Sequence, residues 1–119
     1  MATYASTNDW AIDQSYANFA AYTADNPTGY PSATITQFLE KATEFINRVI
    51  GTGSNITTTR YVNWLKFLCI TMVNRMIQVD QGQAIGNQFS VNDFLQARER
   101  MDLQGIGIET KNRTLFYVR

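Results

Sequence analysis

Ile35-Thr-Gln-Phe-Leu-Glu-Lys-Ala-Thr-Glu-Phe-Ile-Asn-Arg-Val-Ile-Gly51 is the stretch that decides the fold class of this chain. Ile35, Phe38, Leu39, Ala42, Phe45, Ile46, Val49 and Ile50 recur at steps of three and four, which lines them on one face of a helix. Glu40, Lys41, Glu44, Asn47 and Arg48 fall mostly on the other face. Glu44 stands four residues before Arg48, the favourable order for an ion pair along a helix. Ser32 or Thr34 is the expected N-cap. Gly51 is the expected left-handed stop.

Outward from this helix, Thr52-Gly53-Ser54-Asn55 reads as a loop. A second long helix follows from about Thr59 to Asp80. Tyr61, Trp64, Leu65, Leu68, Cys69, Met72, Val73, Met76 and Ile77 mark its apolar face. Val62, Phe67, Ile70 and Val79 lie off that stripe, so the helix is apolar over most of its circumference. Such a helix is either central or buried on a second side by another chain. Gln81 to Asn87 breaks it. A shorter helix is predicted from Ser90 or Asn92 to Gln104, carrying Phe94, Leu95, Ala97, Arg98 and Met101 at helical spacing, with Gly105 as its cap.

Both ends of the chain read differently from the middle. Thr3 to Ala24 holds one or two short helices, capped by Ser6 or Thr7 with Asp9 in the first turn, where the helix dipole favours an acid. Asp25 to Pro31 contains both prolines and reads as a loop. Gly105 to Arg119 reads as two short extended pieces around a polar turn. The expected fold is therefore mainly α, a small bundle of about four helices in residues 1–104, with a C-terminal extended arm or short hairpin in residues 105–119.

Composition narrows the chemistry. The 119 residues include 10 Lys and Arg against 10 Asp and Glu, no His and one Cys. Without histidine there is no imidazole base, no His-containing triad and no His metal ligand. One cysteine allows no intrachain disulfide and no cysteine metal cluster. Charged residues make up 17%, below the usual quarter or so, and a neutral, sparsely charged surface favours self-association. The charges are also unevenly placed. Residues 1–39 carry Asp9, Asp13 and Asp25 and no base, residues 40–80 carry a net +2 and residues 81–119 a net +1. An acidic head and a basic remainder can pair head to tail between copies, although exposed pairs contribute little. No apolar run of 18 residues occurs, so no membrane span is expected, and Met1 to Trp10 is too polar for a signal peptide.

The remaining candidates are weak as chemistry. Glu40 and Glu44 stand one turn apart on a solvated helix face. Cys69 has no histidine to activate it and sits on an apolar face, as a core thiol does. Gly51-Thr-Gly-Ser-Asn follows a helix and lacks the Lys-Ser or Lys-Thr of a phosphate loop. Arg98, Arg100, Lys111, Arg113 and Arg119 gather toward the C-terminus, but Glu99, Asp102 and Glu109 dilute them as a phosphate-binding patch. The most suggestive element is Thr114-Leu115-Phe116-Tyr117-Val118. It is either folded back on its own helices or an arm that docks on another subunit.

The opening Met-Ala-Thr-Tyr-Ala-Ser-Thr-Asn-Asp-Trp10 and the helix from Ile35 to Gly51 resemble small head–tail connector (adaptor) proteins of tailed viruses. The stretch from Ala11 to Pro31 is longer than the loop that follows the first helix in that family. The resemblance implies a non-enzymatic virion protein of the neck, made in the host cytoplasm, with no catalytic residue, no cofactor and no metal. It implies a ring of identical subunits, typically dodecameric, between the portal protein and the next neck or tail protein, with DNA only as cargo in the channel. It implies that the C-terminal residues Thr114, Leu115, Phe116, Tyr117 and Val118 contact the portal or a neighbouring subunit. The alternative is a small helical DNA-binding or regulatory protein, for which a salt-sensitive duplex affinity is the discriminating observation. An enzyme with a carboxylate-bound metal at Glu40 and Glu44 is a third, remoter reading.

Overall fold

A computed structural model describes residues 2–82 and 94–118, with side chains through Thr110. Among the described residues five helices follow one another: α1 (Thr7–Asp13), α2 (Phe19–Asp25), α3 (Ser32–Ile50), α4 (Thr59–Asp80) and α5 (Ala97–Val118). The fold is mainly α, as the periodicity predicts, and the described residues contain no strand.

Helices α3 and α4 form the central hairpin. Ile35, Leu39, Ala42, Ile46 and Ile50 of α3 are buried, as are Leu65, Leu68, Cys69, Met72, Val73 and Met76 of α4. Ala42 and Cys69 have no exposed surface, and their small side chains suit the interior of the bundle. Gly51 ends α3 in the left-handed region at φ 87° and returns its N–H to the Asn47 carbonyl at 2.8 Å. Glycine adopts that conformation without the penalty a Cβ would bring. The start of α3 differs from expectation. The N-cap is Pro31, not Ser32 or Thr34, and its carbonyl accepts from the Thr34 and Ile35 amides at 3.0 and 3.2 Å. Proline's fixed φ already suits entry into a helix.

The first thirty residues wrap this hairpin. Ser6 caps α1, and a reciprocal capping box joins it to Asp9: the Asp9 amide donates to Ser6 Oγ at 3.1 Å and the Ser6 amide to Asp9 Oδ2 at 2.9 Å. Trp10 is buried against α4 and donates through Nε1 to Asn74 Oδ1 at 3.0 Å. Tyr22 of α2 meets the Trp10 ring edge-on at 4.9 Å. Ahead of α1, the Tyr4 amide donates to the buried Thr43 hydroxyl at 3.2 Å. The Tyr4 phenol donates to Asn47 Oδ1 and accepts from the Ile56 amide. Thr43 and Asn47 are the buried polar residues of the core, and these bonds offset the loss of their water.

The C-terminal region corrects the sequence reading. Instead of stopping at Gly105 and giving way to an extended arm or hairpin, the backbone stays helical from Ala97 to Val118. The cause is local to Gly107. A Cβ there would run into the Ile50 carbonyl oxygen at the end of α3. The missing side chain lets the two helices cross closely, which offsets a glycine's low helix propensity, a cost of about 1 kcal/mol. The helix begins at Ala97, and the start expected at Ser90 or Asn92 lies outside the described residues.

Candidate functional site

An open cleft lies between α4 and α5. These helices run antiparallel, since Arg75 of α4 meets Glu99 while Arg60 meets Glu109. Tyr61, Trp64, Met101, Gly105 and Ile106 line a cleft of about 520 Å³ between the two bridges. Helical geometry explains why it stays open. α5 seats Leu103 and Gly107 toward α3, so it approaches α4 through the ends of long side chains.

The two bridges differ in kind. Arg75 donates to both Glu99 oxygens, at 2.7 and 3.1 Å, and to the Phe94 carbonyl at 2.7 Å. Glu99 also accepts from the Gln96 amide at 2.8 Å, which caps the start of α5. Burial pushes the Glu99 carboxyl up, but the bonds from Arg75 and Gln96 and the Arg75 charge outweigh it and leave its pKa below the usual carboxylate value. The other bridge is open to solvent. Arg60 reaches Glu109 at 3.2 Å with 68% of its side chain exposed, and Tyr61 also donates to Glu109. The Arg60 guanidinium lies 5.4 Å from the centre of the Tyr61 ring.

Helices α4 and α5 also leave large apolar side chains in water. Phe67 is 64% exposed, Met101 69% and Ile108 61%. Phe67 follows Trp64 by three residues on α4, and Met101 and Ile108 stand seven apart on α5, two turns along one face. The sequence reading anticipated Phe67 as an apolar residue off the α4 stripe. It grouped Met101 with Phe94 and Leu95 at helical spacing, and the structure turns Met101 outward while Leu95 is buried. Ile106 and Ile108 were expected in an extended piece, and the structure puts Ile106 in the core and Ile108 on the surface. A second groove, of about 450 Å³, between α3 and α4 has Phe38, Phe45, Met76, Val79 and Phe94 on its walls and both signs of charge at its rim.

Other candidate residues fall as follows. Thr114, Leu115, Phe116, Tyr117 and Val118 occupy the last turns of α5, and their side chains lie outside the described residues. Cys69 is a buried thiol, pushed by burial up to about 11 against a lowering bond from Thr43. Glu44 and Arg48 are both exposed, and among the described residues no ion pair joins them. The Arg48 guanidinium instead sits 5.5 Å from the centre of the Phe45 ring. Of the basic residues near the C-terminus, Arg98 is exposed, and Arg100 Nε is buried without a hydrogen-bond partner among the described residues. Among the described residues no helix is long and apolar enough to cross a membrane.

Comparison with protein families, with characterised proteins and with solved structures finds no match to this chain.

Proposed function

We propose that this chain is a structural assembly subunit: a head–tail connector that forms a homomeric ring between a portal and the next neck or tail protein of a tailed virus, around the DNA channel. The observation that carries the reading is the exposure of Phe67, Met101 and Ile108 on the two helices that wall an open cleft. Large apolar side chains left in water suit a place where another protein packs. The reading also draws on the resemblance of the opening residues and the Ile35–Gly51 helix to the connector family. In this reading the body of α3 and α4 supplies a rigid wedge, neighbouring wedges cover the leftover apolar side chains, and Thr114–Val118 engages the portal.

The test is the mass of the purified protein in solution, alone and mixed with a candidate portal protein. A closed oligomer that binds the portal is expected, with portal binding lost and the helical spectrum kept when residues 114–119 are deleted. A chain that is monomeric at every concentration and ignores the portal overturns the connector reading. Salt-sensitive binding to duplex DNA by that monomer would support a regulatory protein instead.

A further inference from the structure

Asp13 and Asp25 lie toward the end of the bundle where α4 finishes, and the final part of α5 lies toward the other. Residues 1–39 contain three acids and no base, whereas residues 110–119 contain Lys111, Arg113 and Arg119 and no acid. Asp25 sits where α3 starts and α4 finishes. It accepts from the Tyr16 phenol at 3.3 Å, beside Tyr22, whose hydroxyl accepts from the Tyr30 amide. Tyr30 in turn donates to Asp80, the last residue of α4, at 2.8 Å, which adds a further acid to that end. Asp13 lies two turns away and accepts from Asn74 at 3.0 Å. The final part of α5 is at the other end. Gly107 crosses α3 at its last residue, Ile50, and Glu109 meets Arg60 in the first turn of α4. Helix α4 alone spans roughly 33 Å at 1.5 Å per residue, several times the screening length of about 8 Å at physiological ionic strength. The two ends therefore cannot neutralise each other within one molecule.

The acidic surface is also left unmatched within its own chain. Asp9 is paired with Lys66 at 3.9 Å, but Asp13 and Asp25 are exposed and take part in no ion pair among the described residues. Ile12, next to Asp13, is 57% exposed and offers an apolar contact there.

We propose that the basic last turns of α5, carrying Lys111 and Arg113, dock on the Asp13 and Asp25 surface of a second copy of this chain. The contact joins two different patches, so repeating it makes a head-to-tail series that closes into a ring when the rotation per subunit allows it. This deepens the assembly reading and rests on it. It also separates two roles on one helix: Lys111 and Arg113 serve the neighbouring subunit, and the apolar residues from Leu115 to Val118 remain for the portal.

Charge reversal tests it. One variant carries Lys111→Glu and Arg113→Glu, the other Asp13→Lys and Asp25→Lys. Each is compared with the parent chain by sedimentation and by melting temperature. The parent is expected to form an oligomer that raised salt dissociates. Each variant alone is expected to sediment as a monomer, because its tail and its acceptor surface then carry the same sign. An equimolar mixture is expected to assemble again, since each variant's tail now matches the other's surface. That recovery is not available to a variant that merely misfolds. If both variants still assemble as the parent does, or the mixture stays monomeric, this contact is overturned while the ring reading stands on the parent's oligomer. A parent that stays monomeric at every concentration overturns the contact, and one that also ignores the portal overturns the connector reading as well.

Discussion

Helices α4 and α5 are each 22 residues long, yet they are held in different ways. α4 buries seven side chains from Leu65 to Met76 and is braced by α3 on one side and α1 on another. Through Thr110, the last residue with a described side chain, α5 buries Leu103, Ile106 and Gly107, crosses α3 at that glycine, and reaches α4 through two carboxylates. One helix is held by interlocking apolar volume, the other by a close crossing and a pair of polar braces. The comparison teaches that equal length does not mean equal attachment, and that α5 is the element an assembly contact can use without disturbing the core.

The largest effect is expected from emptying the α4 core. Leu65→Ala should lower the unfolding free energy by about 2–5 kcal/mol, read from denaturant titration as one cooperative loss across the molecule. A change well under 1 kcal/mol would mean that α4 is not the better-held helix. Next is Gly107→Val, which forces a side chain into the Ile50 carbonyl and should cost about 1–3 kcal/mol. Hydrogen exchange should show α5 amides losing protection while those of α3 and α4 keep theirs. Equal loss in all three helices would erase the distinction drawn here.

The braces come third. Arg75→Ala leaves the half-buried Glu99 without its partner and should cost about 1–3 kcal/mol. Because the pKa of Glu99 is depressed in the folded state, its contribution is fully present above the ordinary glutamate value, 4.5, and is lost as the pH falls through the lower folded value. The parent should lose stability over that acid window more steeply than Arg75→Ala, and identical pH profiles would deny Glu99 this role. Smallest is Arg60→Ala, whose exposed pair with Glu109 should contribute less than about 1 kcal/mol. A larger loss would make the solvent-facing brace as important as the inner one.

The same contrast explains what was legible in the sequence. The bounds of α4 and the end of α3 at Gly51 follow from repeated apolar residues, because burial of a helix face leaves its period in the chain. α5 shows such a period only as far as Met101. Gly105 and Gly107 look like stops, and the β-branched and aromatic residues near Val118 look like strand. What keeps Gly107 helical is an atom of Ile50, 57 positions earlier, and no local pattern carries that information. Gly105 has open space where a Cβ would stand, and nothing in the packing explains it. The cleft was invisible for a related reason. Spacing groups Met101 with its apolar neighbours but does not say which side of the helix has a partner.

The bonds of Tyr4 carry a consequence for how the molecule is made. Its partners Thr43, Asn47 and Ile56 lie 39, 43 and 52 residues further along the chain, and Trp10 waits for Asn74, 64 residues away. A ribosome delivers Tyr4 and Trp10 before any of these partners. Closing such long loops is favourable only once the distant groups are already in place. The hairpin of α3 and α4 is thus the template, and residues synthesised ahead of it wait for it to find their native bonds.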